Sequence, residues 1–334
     1  MTSAQPRPAA SVLAWSRDLV GPALRSAVDR LPASMRHVAG YHLGWWDEHG
    51  TPSGGWAGKA VRPALALLSA EAAGGSAESA VAAAVAVELA HNFTLLHDDV
   101  LDRDPTRRHR PTAWAVFGAD AAILAGDALL ALAADVLAAS SHPASTRVLT
   151  AAVLDLVDGE HADLAFERRD DVRLAECVAM VERKTSPLLA AACALGAHFA
   201  DAAPPVVASL RSFGHLLGVA YQHVDDLLGI WGDPATTGKP ARSDLRSLKK
   251  SLPVVAALES GTPAGRELAE RYREGGAVDV ARLAELVEEA GGRAWSRAEA
   301  DRLLARAVRH LDPVAPRPAA ELADLARLIT DRDA

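Results

Sequence analysis

The chain has 334 residues, of which 50% are hydrophobic and only 4% aromatic, and its formal net charge is −8. Ala and Leu dominate the apolar set. These residues favour helices, whereas strands favour β-branched and aromatic residues. The composition therefore predicts an all-α protein. The acidic balance argues against nucleic acid as a partner, because nucleic-acid-binding domains usually carry a basic excess.

The N-terminal residues 1–10 contain two prolines and no apolar run, which predicts a short disordered lead and not a signal peptide. From residue 11 to residue 334, apolar residues recur at helical spacing without a long linker, an internal repeat or an alternating strand pattern. We expect one helical domain there. The longest apolar stretches, near Val81–Ala90 and Ala128–Ala139, are shorter than the roughly 20 residues that a bilayer requires. The sequence thus predicts a cytoplasmic protein with no membrane span.

The first acidic cluster ends a strongly helical segment. Its aspartates are Asp98, Asp99 and Asp102. Side chains three and four residues apart share a helix face, so these carboxylates repel each other unless cations neutralise them. Magnesium prefers oxygen ligands and often bridges carboxylates to substrate phosphates. Three arginines follow at once: Arg107, Arg108 and Arg110. Because guanidinium groups bind phosphate oxygens in a fork, the segment predicts a metal and diphosphate site. The alternative is a solvated helix end with scattered charges.

Three residues further along the chain indicate local features of the structure. Lys184 lies within the apolar helical stretch Cys177–Leu195, where an ammonium group needs a partner. Thr262 before Pro263 is typical of a helix start, and Ser296 with a glutamate three residues later fits a capping box. These patterns predict one buried ion pair and two helix N-termini.

The second acidic cluster places Gln222, Asp225 and Asp226 at i, i+3 and i+4 on one helix face. Adjacent aspartates in an otherwise apolar helix are costly to bury. A Gly/Pro-rich loop with Lys239 follows, and then Lys249. Two helices that each carry paired acids followed by basic residues predict two motifs facing each other across a cavity, with metal and diphosphate between them.

In their order along the chain, these segments resemble those of trans-type polyprenyl diphosphate synthases. The matching segments are Ala57–Pro63, Asp98–Asp102, Thr106–Arg108, Gly126–Asp127, Lys184–Thr185, Gln222–Asp226 and Gly232–Lys239. The likeness extends from about Val12 to the C-terminus. Two positions depart from the family pattern. Ala57 replaces the first glycine of GGKxxRP, and Gly229 stands where the second motif usually has a third aspartate.

The resemblance implies a fold, a reaction and a set of roles. The fold would be an all-α, single-domain bundle of antiparallel helices around a central cavity. The enzyme would condense isopentenyl diphosphate with an allylic diphosphate, assisted by three Mg²⁺ ions per site for which Mn²⁺ can substitute, and would form a homodimer. The implied metal ligands, which with Lys184 form the catalytic set, are Asp98, Asp99, Asp102, Asp225 and Asp226. The implied contacts of the allylic diphosphate are Arg107, Lys184, Thr185, Gln222, Lys239 and Lys249. The implied contacts of isopentenyl diphosphate are Lys59, Arg62, His91 and Arg108.

Product length depends on two residues before the first aspartate. Phe93 lies five positions upstream of Asp98, about 7.5 Å along a helix axis, and Thr94 lies four positions upstream. An aromatic residue followed by a small one resembles the family's geranylgeranyl pattern, so we expect a C20 product. A C15 or longer product stays open, and Phe93 could instead be ordinary core.

Three other classes of protein were weighed. A class I terpene cyclase would carry an Asn/Ser/Glu metal triad in the second motif, where this chain has Asp225 and Asp226. A non-catalytic subunit of a heteromeric synthase would be expected to lose an acidic motif, and only Gly229 favours it. A carboxylate-bridged metal protein of the helical-bundle type needs Glu and Glu-x-x-His ligands on four helices, and the sequence has no such set.

Overall fold

The structure is a computed structural model that describes residues 5–55, 58–233, 242–274 and 279–331. It is 74% helical with almost no sheet, so the all-α prediction is confirmed. By internal contacts the chain divides into two compact units. The first unit takes the chain up to Val153 with Leu188–Arg211 and Leu311–Leu325, and the second takes Leu154–Pro187, Ser212–His310 and the residues from Ala326 onward. The expectation of a single domain over residues 11–334 stays a prediction.

The first unit carries the first acidic motif. Its N-terminal helices are α1 (Ala9–Val28), α2 (Ala33–His42), α3 (Val61–Ala72), α4 (Val81–Leu101), α5 (Ala113–Phe117) and α6 (Ala119–Ala138). A short 3₁₀ turn at Glu78–Ala80 leads into α4, and another at Pro143–Ser145 follows α6. Between α4 and α5, the antiparallel strands β1 (Thr106–Arg107) and β2 (Arg110–Pro111) form a small hairpin. The hairpin therefore begins within a few residues of Asp102.

Helix α4 is the core helix of this unit, and it packs against α1, α3 and α6. Gly126 lets α6 approach closely, since a Cβ at that position would lie 2.4 Å from the His97 ring. Within the described residues, Glu78–Leu101 and Ala119–Ala138 are long and apolar enough to cross a membrane by length and composition alone. In the first stretch 72% of the apolar window is buried inside the protein, as in a core helix, against 39% in the second.

The N-terminal segment corrects one expectation. Residues 1–10 were predicted to be a disordered lead, but α1 begins at Ala9 and Arg7 is anchored. The Arg7 guanidinium donates to Glu71 (2.6 Å) and to the fully buried Glu321, and it lies 3.9 Å from the centre of the Trp15 ring. An ion pair with a buried carboxylate holds this segment, and nothing in the local sequence signals so distant a partner. Ordered structure thus begins before residue 11.

Beyond Ser145, most of the described residues are also helical. The helices there are α7 (Thr146–Phe166), α8 (Leu174–Lys184), α9 (Ser186–His198), α10 (Pro204–Trp231), α11 (Ser243–Arg246), α12 (Leu252–Leu258), α13 (Pro263–Glu274), α14 (Val280–Glu289), α15 (Gly292–Arg309) and α16 (Pro316–Thr330). The predicted start at Thr262 is confirmed, because its hydroxyl accepts the Gly265 N–H at 3.0 Å. The predicted capping box at Ser296 is wrong. Ser296 lies inside α15, and its hydroxyl instead bonds to Nδ1 of His223 (2.8 Å).

Candidate active site

In the first motif, the three predicted carboxylates differ in their surroundings. Asp98 is half-buried and Asp102 is exposed, whereas Asp99 is only 1% exposed. Oδ1 of Asp99 accepts a hydrogen bond from Nε of Arg107 at 2.7 Å. Arg108 and His109 form the tight turn of the hairpin, both with left-handed backbone (φ 52° and 61°). Asp99 therefore orients an arginine that the sequence assigns to diphosphate binding.

A cavity of about 180 Å³ opens beside this ion pair. Its lining residues are Tyr41, His42, Asp99, Arg107, Arg108, Arg110, Pro111, Thr112 and Ala113. Tyr41 donates its hydroxyl to Pro111 O at 2.8 Å, and the Arg110 guanidinium lies over the Tyr41 ring at 4.7 Å. Three guanidinium groups and one carboxylate give the cavity a net positive lining, which suits an anion such as a diphosphate.

His91 joins the same basic region. Burial, and then the positive charges of Arg62 and Arg108, hold the pKa of His91 well below its usual value. The imidazole is therefore neutral near pH 7. The structure thus brings together four residues that the sequence assigned to substrate binding: Arg62, His91, Arg107 and Arg108. Lys59, assigned with them, is exposed in the segment before α3.

The proposed chain-length residues lie one to two turns from Asp98. Phe93 is 7% exposed, and its ring meets the His97 ring edge-on with 4.7 Å between centroids. Thr94 is 6% exposed, and its hydroxyl donates to His91 O at 2.8 Å. Both side chains therefore lie inside the unit, on the same helix as the first acidic motif.

The second unit supplies the partner that Lys184 was predicted to need. Nζ of Lys184 lies 2.7 Å from Oε2 of Glu160 and 2.6 Å from Oδ2 of Asp163. Gly159 allows this close approach of α7 and α8, since a Cβ there would lie 2.3 Å from the Lys184 backbone nitrogen. The prediction of a buried partner is confirmed, and the sequence did not identify which acids would provide it.

A relay of hydrogen bonds connects three other predicted residues. Thr185 donates its hydroxyl to Oε1 of Gln222 at 2.6 Å, and Nε2 of Gln222 donates to Oδ1 of Asp226 at 2.7 Å. Oδ2 of Asp226 accepts the backbone N–H of Leu252 at 2.9 Å, where α12 begins. Asp226 is 3% exposed and Asp225 is exposed. As in the first motif, the second aspartate of the pair is the buried one.

Lys249 is a positively charged residue that acts on the buried Asp226. Burial raises the pKa of Asp226 to about 7, although the positive charge of Lys249 opposes the shift. Burial alone would lower the pKa of Lys249, but the carboxylates of Asp163, Asp244 and Asp226 raise it well above its usual value. Lys249 thus stays charged among acids. Lys239, assigned with it from the sequence, lies outside the described residues.

Gly229 stands where the family pattern has a third aspartate, and Asp244 faces it. A Cβ at Gly229 would lie 2.4 Å from Oδ2 and 2.5 Å from Cγ of Asp244. Atoms do not approach so closely, so any side chain at position 229 requires Asp244 to move. A carboxylate from α11 therefore fills the space next to α10 that a residue at 229 would enter.

Five residues of these clusters were missed by the sequence reasoning: His42, Arg110 as a cavity residue, Glu160, Asp163 and Asp244. Lys184 signalled that an acid was needed and Gly229 signalled an altered motif, but neither indicated its partner. His42 gave no signal at all, because it follows a tyrosine at the end of an unremarkable helix.

The carboxylates of the two motifs offer only part of the ligand set that a divalent cation needs. Within the described residues, no three His, Cys, Asp or Glu side chains form a group able to hold a metal ion on their own. Magnesium is commonly held by one or two carboxylates together with substrate phosphates and water. Asp98 in the last turn of α4 and Asp102, its C-cap residue four positions later, provide such a partial oxygen set. These residues fit a cation that arrives with a diphosphate.

A family model described as polyprenyl synthetase matches residues 54–290. The chain belongs to the polyprenyl synthetase family. It is 48% identical to a (2E,6E)-farnesyl diphosphate synthase of Mycobacterium tuberculosis over 97% of this chain and 93% of that one. It is 42% identical to a geranylgeranyl diphosphate synthase of the same organism over 97% and 94%. A crystal structure of polyprenyl synthetase from Streptomyces coelicolor A3(2) superposes with a TM-score of 0.89 at 47% identity, covering 96% and 98% of the two chains.

Membership of the polyprenyl synthetase family and the similarity to two prenyl diphosphate synthases agree with the enzyme class that the motifs predict. The protein is a trans-prenyltransferase, as its motifs predicted. Polyprenyl synthetases use a divalent metal for catalysis, in agreement with the partial carboxylate set on α4.

Proposed function

We propose that this polyprenyl synthetase condenses isopentenyl diphosphate with allylic diphosphates and releases geranylgeranyl diphosphate, a C20 product. The observation that carries the chain length is the pair Phe93 and Thr94, both buried on α4 just before Asp98. The small side chain of Thr94 leaves room for the growing isoprenoid tail to pass. The buried aromatic ring of Phe93 then stops it. The relative that makes farnesyl diphosphate keeps a C15 product as the second candidate.

The proposed cofactor is Mg²⁺, three ions per site, for which Mn²⁺ can substitute. Asp98, Asp102 and Asp225 are the carboxylates best placed to hold them, since they are the less buried members of the two motifs. Asp99 and Asp226 support them from inside the protein. Bound metal stabilises the negative charge that develops on the departing diphosphate.

The chain's own residues are proposed to bind, orient and exclude water. Arg107, held by Asp99, binds the allylic diphosphate. The family resemblance assigns Lys184, Thr185, Gln222 and Lys249 to the same substrate. Arg62, His91 and Arg108 bind isopentenyl diphosphate, with Lys59. The apolar interior around α4 keeps water from the allylic cation, which water would quench.

The enzyme is further proposed to be a cytoplasmic homodimer without a membrane span. The support for the dimer is the apolar face of α6, where Leu124 is 56% and Ile123 39% exposed. Such a face on a long apolar helix is typical of a surface that another protein copy covers. Light scattering on the purified enzyme should give twice the chain mass, and Leu124→Glu should shift it to the monomer. A monomeric wild type would refute the dimer.

One assay tests the function. The enzyme is incubated with isopentenyl diphosphate and each of the C5, C10 and C15 allylic diphosphates, with and without Mg²⁺, and product length is measured by chromatography. We expect metal-dependent formation of C20 from the C15 substrate. Products that stop at C15 would establish the second candidate, and no condensation with any substrate would overturn the proposed function. Condensation in the absence of metal would overturn the proposed requirement for Mg²⁺.

A further inference from the structure

His42 occupies an unusual place for a histidine. It ends helix α2, and its ring lines the cavity described above together with Arg107, Arg108 and Arg110. Its Nε2 is buried and has no hydrogen-bond partner in the structure. A buried polar atom left without a partner destabilises the folded protein. Such atoms are rare in native proteins and call for a physical reason.

The charge state of His42 suits an anion site that already holds several cations. Burial, and then the positive charges of Arg107 and Arg108, lower the pKa of His42 to about 3. A side-chain interaction with Asn92 opposes this shift, whereas Nε2 meets no partner at hydrogen-bonding distance and angle. The ring is therefore neutral at neutral pH. It offers a donor or an acceptor without adding another positive charge to the arginines.

His42 also lies within the region assigned to isopentenyl diphosphate. His42 contributes to the lowered pKa of His91, and the positive charges of Arg107 and Arg108 lower the pKa of both rings. Arg108, assigned to that substrate, lines the same cavity as His42. An oxygen-rich ligand that enters among the arginines would supply the missing acceptor.

We propose that His42 is a further binding residue of this enzyme, whose Nε2–H donates a hydrogen bond to the diphosphate of isopentenyl diphosphate in the arginine-lined cavity. The proposal rests on the proposed function, which places that substrate in this half of the site. The alternative is a purely structural imidazole that fills space at the end of α2. A structural role would affect folding, or both substrates alike, whereas the binding role predicts an effect on one substrate.

The test uses two His42 variants and one control. His42→Phe keeps a planar ring but removes both nitrogens, and His42→Gln keeps an N–H donor. His37→Phe is the control, because His37 lies on the same helix but outside the cavity, with Nε2 bonded to Glu48 O at 2.9 Å. Steady-state kinetics with each substrate varied in turn gives the two KM values and kcat.

We expect His42→Phe to raise the KM for isopentenyl diphosphate by roughly tenfold or more, the usual value of a hydrogen bond to a charged acceptor. The KM for the allylic substrate and kcat should change by less than about twofold, His42→Gln should recover most of the loss, and His37→Phe should match the wild type. A KM for isopentenyl diphosphate unchanged in His42→Phe, or raised equally for both substrates, would overturn the proposal.

Two measurements keep the proposal testable if His42→Phe folds poorly or turnover is absent. Calorimetric binding of inorganic diphosphate needs no reaction, and it should be weaker for His42→Gln than for the wild type by no more than a few-fold, with His42→Phe weaker still.

In the wild type, ¹⁵N-histidine NMR should show the His42 proton on Nε2 and a shift of that nitrogen when isopentenyl diphosphate is added. No shift, or a proton on Nδ1 alone in the complex, would refute the role. A wild type that binds both anions but condenses nothing would refute the proposed function and leave the binding role of His42 intact.

Discussion

Gly229 provides the sharpest test of how the second motif is built. If this enzyme merely lacks the third aspartate of its family, Gly229→Asp should restore a metal ligand and be tolerated. The structure indicates the opposite, because the carboxylate of Asp244 lies 2.4–2.7 Å from the position of a Cβ at residue 229. Even Gly229→Ala, which adds a single methyl group, should force Asp244 out of place.

The expected magnitude combines two opposing effects. Replacing glycine by alanine inside a helix favours folding by about 1 kcal/mol. Overpacking a filled site typically costs about 1–3 kcal/mol. We therefore expect Gly229→Ala to lower the free energy of unfolding by at most about 2 kcal/mol. Gly229→Asp should cost more in the absence of metal, since two ionised carboxylates about 4 Å apart repel by roughly 4 kcal/mol at an effective dielectric constant of 20.

Urea denaturation of Gly229→Ala, Asp244→Gly and the double variant measures this contact as a mutant cycle. The two changes should be coupled by about 1 kcal/mol or more, because removing the Asp244 side chain makes room for the new methyl group. Gly218 on the same helix is the matched control. A Cβ there would lie 2.5 Å from the Ser186 backbone Cα, so Gly218→Ala should destabilise the enzyme regardless of residue 244. A Gly229→Ala variant at least as stable as the wild type, or additive with Asp244→Gly, would refute the reasoning.

Three further predictions concern the first unit. Phe93→Ala should lengthen the product, and chromatography showing unchanged length would contradict the role of Phe93 in chain-length control. Asp99→Asn removes the charge that holds Arg107 at 2.7 Å, so the KM for the allylic substrate should rise roughly tenfold. Added Mg²⁺ should relieve Asp98→Asn but not Asp99→Asn; equal rescue of both would show that they act alike. The folded state keeps His42 unprotonated down to about pH 3, whereas the unfolded imidazole takes up a proton near pH 6.5, so stability falls as pH drops through that window. In urea titrations below pH 6.5, His42→Gln should lose about 1 kcal/mol less per pH unit than the wild type, and identical slopes would contradict a buried neutral ring.

The helices and one helix start could be predicted from the sequence, because both depend on residues that are close together along the chain. The helical spacing of apolar residues indicated the helices, and Thr262 caps α13 as its position before Pro263 predicted. Ser296 shows the limit of the same rules. A serine followed three residues later by a glutamate occurs at helix starts and also inside helices, and here the hydroxyl satisfies the buried ring of His223. That choice depends on a neighbour 73 residues away, which a local pattern cannot contain.

The chemistry of the site was predictable wherever a charge in an apolar helix demanded a partner. Lys184 needed an acid and has two, yet Glu160 and Asp163 could be identified only once α7 and α8 were packed. His42 could not be predicted at all. Its significance comes from the arginines that surround it and from its unsatisfied nitrogen, and both are properties of the folded chain.

In both motifs the two adjacent aspartates differ in burial and in their hydrogen bonds, which the sequence spacing did not predict. Neighbouring residues on a helix point about 100° apart, so two adjacent carboxylates cannot serve one face equally. In each pair the second aspartate turns inward: Asp99 is 1% exposed and binds Arg107, and Asp226 is 3% exposed and binds the Leu252 N–H. The first aspartate of each pair, Asp98 or Asp225, stays more accessible. An adjacent acid pair thus leaves one carboxylate accessible, which we propose for the cation, and uses the other to fix the basic or backbone group beside it. This explains why the motif needs two acids in sequence when only one of them faces outward.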